Sequence, residues 1–272
     1  KRLENILSQS FQNFELIIYD NSNDSTQEIC SKFKEKDERI KYFHEEEKHG
    51  IEYAFHYVLI KADTEFFVWA ASDDLWASDF LEKNISILEK QSTVVGSIGQ
   101  VKQYGQKIKE FDVEYADSFW KKRYKKFRKS FRHFGHVSIF ATSYSDRATK
   151  FLRNHEELSM YAVFRTKSLQ KSFVFGSHIW KKIILNVLRY GNFNVTCETE
   201  WFWHTGSSGI DNPINQFKNK QISLPEILLP YYDYMKWCSQ NMGKKFVLKN
   251  MDFFISSTII FYIILSINIL KK

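Results

Sequence analysis

Short β-rich runs alternate with helix-like segments over the first hundred residues, and this alternation constrains the fold more than any other feature of the sequence. The runs that predict strands are Phe14–Tyr19, Ile40–Phe43, Glu65–Trp69 and Val94–Val101. Amphipathic segments with the spacing of helices precede, separate and follow them, among them Arg2–Ser10 and Ile51–Lys61. Strands that alternate with helices indicate βαβ units and a mostly parallel sheet.

Acidic residues follow two of these predicted strands directly. Asp20 comes at the end of the first strand, and Asp73 and Asp74 follow the third. Ligands of open α/β sheets bind outside the carboxyl ends of the strands. A pair of carboxylates there can hold a divalent cation that also contacts phosphate oxygens. The pair alone also suits the N-terminal cap of a helix with solvated carboxylates.

Composition excludes several classes of protein. The chain has 272 residues, of which 43% are hydrophobic and 17% aromatic, so it is not a disordered chain. Its length suits one large domain or two small ones. The cysteines Cys30, Cys197 and Cys238 are odd in number and widely spaced, which gives no disulfide framework and no zinc spacing. This usage favours a reducing compartment.

Two segments raise the question of membrane contact. The net charge is +7, and Trp120–Phe134 combines basic residues with aromatics at helical spacing. Such a helix suits a membrane surface, a phosphate-binding face or an ordinary packed helix, and no motif points to nucleic acid. The uncharged segment Phe253–Leu270 is at the lower limit for spanning a bilayer, and a buried helix is the alternative.

Four strings carry a resemblance to a known family. They are LSQSFQNFELIIYDNSNDST (Leu7–Thr26), GIEYA (Gly50–Ala54), FFVWAASDDLW (Phe66–Trp76) and YAVFRT (Tyr161–Thr166). With them the chain resembles the family 2 glycosyltransferases, inverting nucleotide-sugar enzymes with the GT-A fold. The resemblance implies a Rossmann-like, mostly parallel sheet flanked by helices, with a C-terminal helical extension. It also implies that the first strand of that sheet is missing here.

The resemblance assigns roles to individual residues. Asp20 matches the aspartate that hydrogen-bonds the nucleotide base, and Asn21 and Ser22 in the same turn are counted with it among the nucleotide-binding residues. Asp73 and Asp74 match the pair at the metal and the diphosphate, with Asp73 also counted among the nucleotide contacts. The implied cofactor is a divalent cation, Mn²⁺ or Mg²⁺, which neutralises charge on the leaving diphosphate.

The chain also departs from the family pattern. Tyr19 stands where many members have an aspartate, and Ala71 stands where many have the first aspartate of the metal motif. An inverting transfer needs a base near the acceptor hydroxyl. His178 lies at about the place where the family has its catalytic aspartate, and Glu198 and Glu200 lie further on.

These observations predict an inverting, hexosyltransferase-like enzyme with a nucleotide-sugar donor, UDP-sugar first among them, and a glycan, lipid-linked or polysaccharide acceptor. The predicted glycosyltransferase domain is 1–206, with a nucleotide-binding region at 1–104 and an acceptor region at 105–206. A C-terminal extension 207–250 and a membrane anchor 251–272 follow, on a cytoplasmic protein. The alternative is a catalytically inactive nucleotide-sugar-binding protein or a membrane-associated scaffold.

Overall fold

The chain folds into two compact units, which we call the α/β unit and the helical unit. The computed structural model describes residues 1–104, 137–154, 157–204 and 224–270. Of these, the α/β unit takes 1–104, 137–141 and 157–204, and the helical unit takes 142–154 and 224–270. The predicted basic helix Trp120–Phe134 lies outside the described residues.

The α/β unit alternates strands and helices as the sequence predicts. Its strands are β1 (Leu16–Asp20), β2 (Ile40–His44), β3 (Phe66–Phe67), β4 (Leu75–Trp76), β5 (Val94–Tyr104), β6 (Val163–Arg165) and β7 (Asn192–His204). Its helices are α1 (Arg2–Leu7), α2 (Thr26–Lys34), α3 (Ile51–Lys61), α4 (Phe80–Lys90), α6 (Thr166–Gln170) and α7 (Ile179–Val187), and a 3₁₀ turn spans Glu157–Tyr161. The label α5 belongs to the first helix of the helical unit, Tyr144–Asn154.

The strands form two sheets. β1 and β2 pair in parallel, so Asp20 lies opposite His44 at their carboxyl ends. The other strands form a sheet in the order β3-β6-β5-β7-β4. The α/β class is confirmed, and most of the paired residues belong to the parallel ladders β1–β2 and β5–β7, although the larger sheet also contains antiparallel pairs. β6 runs antiparallel to both of its neighbours and β4 runs antiparallel to β7, so β5 and β7 are the parallel pair in this sheet.

Local predictions differ from the structure in two places that matter for the site. The predicted strand Glu65–Trp69 pairs only at Phe66 and Phe67, because β6 is short. The helix α4 begins after Asp79, a residue type that commonly caps helices, yet the Asp79 carboxylate does not cap it. Instead it accepts a hydrogen bond from Thr199 Oγ1 at 2.6 Å, which ties the start of α4 to β7.

An apolar cavity of about 780 Å³ lies within the α/β unit and is lined by residues of both β1 and β3. Among the described residues, each of these strands pairs with a single neighbour, β2 and β6 respectively. The walls of the cavity include Ile18, Phe55, Phe67 and Val163. The cavity walls also include Asp20 and, ahead of Asp73, Ala70 and Ser72.

The helical unit is built from five helices among the described residues. They are α5, α8 (Leu224–Leu228), α9 (Tyr232–Met242), α10 (Lys244–Lys249) and α11 (Met251–Leu270). Asp146 of α5 pairs with Lys249 at 3.0 Å, and Arg153 pairs with Asp252 at 3.1 Å. Within the described stretches of the chain, no helix combines the length and apolar character that crossing a membrane requires.

Candidate functional site

Asp20 sits in a turn that its own neighbours hydrogen-bond. Its side chain is 6% exposed. Oδ1 accepts hydrogen bonds from the backbone N–H of Ser22 (2.9 Å) and from Ser22 Oγ (2.6 Å), and Oδ2 accepts one from Tyr42 Oη (2.8 Å). His44 Nδ1 lies 3.5 Å from Oδ2. The orientation of this carboxylate is therefore fixed before any ligand arrives.

The same contacts set the charge of Asp20. Burial would raise its pKa, but the hydrogen bonds from Ser22, Tyr42 and His44 favour the carboxylate and leave the pKa lowered. Asn21 donates from Nδ2 to the backbone oxygen of His49 at 3.0 Å, which ties this turn to the loop ahead of α3. The turn thus presents a permanently ionised acceptor beside a rigid backbone.

Asp73 and Asp74 occupy a second turn, and their surroundings differ from one another. Asp74 is 2% exposed, accepts a hydrogen bond from the backbone N–H of His204 at 2.9 Å, and accepts another from the Trp201 side chain. The Asp73 side chain is 33% exposed, and its Oδ2 lies 4.0 Å from His204 Nδ1. Asp74 is thus part of the scaffold, whereas Asp73 faces outward.

Arg2 is the cation nearest this pair. Its Nε donates to the backbone oxygen of Ala71 at 2.9 Å, and its guanidinium lies 4.3 Å from the ring centre of Trp76. The pKa of Asp74 is raised to about 6, chiefly by burial and also by the charge of Asp73, while the hydrogen bonds from His204 and Trp201 and the charge of Arg2 oppose that rise. Burial also lowers the pKa of Arg2 to about 10.

The acidic turn fits a hard divalent cation. His204 Nδ1 is buried and finds no hydrogen-bond partner, although the described residues contain no ready-made group of three or more His, Cys, Asp or Glu ligands. Mg²⁺ and similar ions are commonly held by one or two carboxylates, with phosphate and water completing the shell. Asp73, with His204 beside it, provides that kind of partial site. Arg2 contributes a positive charge next to it, and Asp74 contributes a second negative charge.

His178 lies at the first turn of α7 and in a strained backbone conformation. Its φ is 54° and its ψ is 30°. Among the described residues, no other non-glycine residue has a positive φ. Gly176, two residues earlier, has φ 97° and donates from its N–H to Glu52 Oε2 at 3.0 Å. Left-handed non-glycine residues concentrate at functional sites, where surrounding contacts hold them.

Ring contacts connect the His178 loop to the acidic turn. Trp180 packs on Phe55 with ring centres 4.7 Å apart, and Phe55 approaches Tyr161 edge-on at 6.5 Å. Tyr161 packs on Trp201 at 5.1 Å, and Trp201 hydrogen-bonds Asp74. A chain of ring contacts thus runs from Trp180, two residues after His178, to Trp201, whose side chain hydrogen-bonds Asp74.

The alternative bases are engaged elsewhere. Glu200 forms an ion pair with Lys102, and Glu198 lies 3.9 Å from Lys83. Both glutamates project from β7, and their partners lie on β5 and α4. The role of His178 as the base stays a prediction.

Sequence reasoning missed Arg2, Tyr42 and His204. His204 had a signal, because it ends the long β-rich run after Asn192 and the carboxyl ends of strands carry ligand sites. Tyr42 could have been found from the parallel pairing of β1 with β2. Arg2 had no sequence signal, because its hydrogen bond to Ala71 joins residues that are 69 positions apart in the chain.

Comparisons with known proteins point to one family. Residues 1–173 match the family model described as "Glycosyl transferase family 2". The putative teichuronic acid biosynthesis glycosyltransferase TuaG of Bacillus subtilis (strain 168) is 32% identical over 98 residues, 36% of this chain and 39% of the relative. Glycosyltransferase GlyG of Streptococcus pneumoniae serotype 4 is 34% identical over 95 residues, 34% of this chain and 32% of the relative.

The fold has solved counterparts. The crystal structure of S. aureus TarS 1-349 in complex with UDP matches with a TM-score of 0.50 and 16% identity, over 75% of this chain and 55% of that one. At this identity the likeness concerns the fold alone. The chain spans between about a third and two fifths of the length of the two curated relatives described above.

Proposed function

The chain belongs to glycosyl transferase family 2, and from that premise we propose that it transfers a sugar from a nucleotide-sugar donor to an acceptor hydroxyl with inversion. The observation that carries the proposal is a single cavity whose walls include Asp20 of the first acidic turn and Ser72, the residue directly before Asp73 and Asp74. A nucleotide sugar offers a polar base to the first turn and a diphosphate to the turn of Asp73 and Asp74.

At the first turn, Asp20 accepts a hydrogen bond from an N–H of the nucleobase. A carboxylate accepts well from the imide of uracil, which makes a UDP-sugar the first donor to test. Asn21 and Ser22 hold the turn in shape through their own hydrogen bonds. Specificity for the base thus depends on an acceptor that remains ionised throughout the physiological pH range.

At the second turn, Asp73 and His204 hold a divalent cation, and Asp74 fixes the backbone of His204. When bound, Mn²⁺ or Mg²⁺ stabilises the negative charge that develops on the leaving diphosphate. Arg2 adds a fixed positive charge beside the same group. The carboxylates of Asp73 and Asp74 and the guanidinium of Arg2 together carry a net negative charge. This charge favours the binding of a cation.

His178 accepts the acceptor's proton in the transfer step. The acceptor oxygen forms a bond to the anomeric carbon while the bond from that carbon to the diphosphate oxygen breaks, and the hydroxyl proton moves to the imidazole. The diphosphate leaves with the bonding electron pair. Attack on the side opposite the diphosphate inverts the anomeric configuration.

The experiment that tests the proposal measures nucleotide release from UDP-sugars with a panel of glycan and lipid-linked acceptors, with Mn²⁺ and with EDTA. We expect turnover with Mn²⁺, loss with EDTA, and a drop on the order of a hundredfold for His178→Gln, the usual scale for a general base. His56→Gln is the matched control, because His56 packs on Phe173 and Phe175 of the same loop. Equal losses in both variants would indicate loop packing instead of proton transfer.

A catalytically inactive nucleotide-sugar-binding protein is the second candidate function. Ala71 favours it, since many family members have a carboxylate at this position. The same assay separates the two: a non-catalytic protein binds nucleotide sugar yet releases no nucleotide with any acceptor.

A cytoplasmic location with membrane-surface contact through α11 completes the proposal. The exposed side chains of Ile255 and Ile259 on this helix support that contact.

A further inference from the structure

Tyr161 lies between the acidic turn and the His178 loop. Its ring packs on Trp201, whose side chain hydrogen-bonds Asp74, at a centre-to-centre distance of 5.1 Å. On the other side it meets Phe55 at 6.5 Å, and Phe55 packs on Trp180 at 4.7 Å. These contacts hold the ring from two directions, so the position of its hydroxyl is defined.

The hydroxyl of Tyr161 is available to a ligand. Within the described residues it makes no hydrogen bond, and it is not among the side-chain oxygens that are buried without a partner. Other tyrosines of the α/β unit use their hydroxyls within the fold: Tyr19 donates to Glu45 and Tyr42 donates to Asp20, both at 2.8 Å. A held aromatic ring with an accessible hydroxyl is a common element of binding sites.

The surroundings also determine which role the hydroxyl can take. Burial of the ring and the negative charges of Asp74 and Asp73 raise the pKa of Tyr161. The group therefore remains a neutral O–H donor at physiological pH and cannot serve as the base. Its natural partner is an oxygen that accepts a hydrogen bond.

The geometry of displacement identifies that oxygen. The acceptor oxygen and the departing diphosphate oxygen lie on opposite sides of the anomeric carbon during inversion. With the diphosphate at the Asp73 turn and His178 as the base, the sugar lies between them, and Tyr161 belongs to the chain of ring contacts that leads from Trp201 to Trp180. We propose that Tyr161 Oη donates a hydrogen bond to an oxygen of the transferred sugar and so helps to select and orient the donor. This inference rests on the proposed function.

The test is Tyr161→Phe, which removes the hydroxyl and keeps the ring. Dissociation constants for UDP and for the nucleotide sugars UDP-glucose, UDP-N-acetylglucosamine and GDP-mannose, with GDP as the second nucleotide, are measured by calorimetry with Mn²⁺. We expect nucleotide-sugar affinity to fall about fivefold, the scale of one hydrogen bond, while affinity for the bare nucleotide is unchanged. Tyr190→Phe, at a tyrosine that is 47% exposed, is the control and should match the parent.

The ratio of the two affinities decides the outcome. Both ligands bind the same folded fraction, so a variant of lower stability still reports this ratio. An unchanged ratio, with or without a common loss for nucleotide and nucleotide sugar, would overturn the assignment to the sugar. If the parent binds and turns over donor, only the role of Tyr161 then fails. If the parent binds none of these ligands, the proposed function fails and this inference fails with it.

Discussion

The two acidic turns of the α/β unit differ in how their carboxylates are satisfied. Asp20 is closed in by Ser22, Tyr42 and His44, and its pKa is lowered. Asp74 is buried beside a second carboxylate, and its pKa is raised to about 6. In the first turn, neutral hydrogen-bond donors of the protein already stabilise the Asp20 carboxylate. The turn of Asp73 and Asp74 instead gains stability when a cation is added.

The largest effect that this comparison predicts is that of a substitution at Asp73. Asp73→Asn should lower kcat on the order of a hundredfold or more, because the cation's charge stabilisation is worth several kcal/mol in the transition state. Thermal stability should change little, since a partly exposed carboxylate typically contributes about 0.5 kcal/mol or less. Turnover and melting temperature are measured together. Asp63→Asn, at an exposed aspartate on the rim of the cavity, is the control.

Asp20 should show the opposite signature. Asp20→Ala removes the proposed acceptor for the nucleobase and should raise the Kd for donor about tenfold, within the range for a hydrogen bond to a charged group. At saturating donor, kcat should stay near the parental value. A folded variant with unchanged donor affinity would remove Asp20 from the nucleotide site and end the distinction between the two turns.

Tyr42→Phe sharpens the account of the first turn. The change keeps the ring on β2 and removes the hydrogen bond to Asp20 Oδ2. We expect the Kd for donor to rise about threefold, because one of several bonds that orient the carboxylate is lost. Tyr57→Phe, at a neighbouring tyrosine on α3 whose ring packs on Tyr19, is the matched control. Equal effects would indicate general packing.

Much of this site was predictable from the sequence. β1, β2 and α3 form close to the predicted residues because their apolar periodicity is local, and the acidic residues follow strands as expected. The different roles of Asp73 and Asp74 were not predictable. They depend on the pairing of β4 with β7, which brings His204 and Trp201 from about 130 positions away. The left-handed backbone at His178 likewise has no sequence signal, since histidine rarely adopts it.

The smallest predicted effect concerns pH. Without added divalent cation, the raised pKa of Asp74 means that the folded state binds a proton more readily than the unfolded state below about pH 6. This group therefore adds stability as pH falls from 7 to 5, by about 1 kcal/mol. The melting temperature of the parent relative to Asp74→Asn should rise over that interval.

Asp20 is the built-in comparison for this effect. Its pKa is lowered, so its contribution to stability is present above the unfolded pKa and is lost only as pH falls through the lower folded value. The melting temperature of the parent relative to Asp20→Asn should therefore stay constant between pH 5 and 7. A slope at Asp20, or none at Asp74, would contradict the assigned environments.

The central claim is that the Asp73 turn, and not the Asp20 turn, holds the cation. Mn²⁺ binding followed by electron paramagnetic resonance, with and without UDP, tests it on the full chain and on Asp73→Asn, Asp20→Asn and Asp63→Asn. We predict that Asp73→Asn weakens Mn²⁺ binding about tenfold or more, since one carboxylate of a site with few protein ligands is lost, while the other two variants bind like the parent. Parental Mn²⁺ affinity in Asp73→Asn, or an equal loss in Asp20→Asn, would contradict the account.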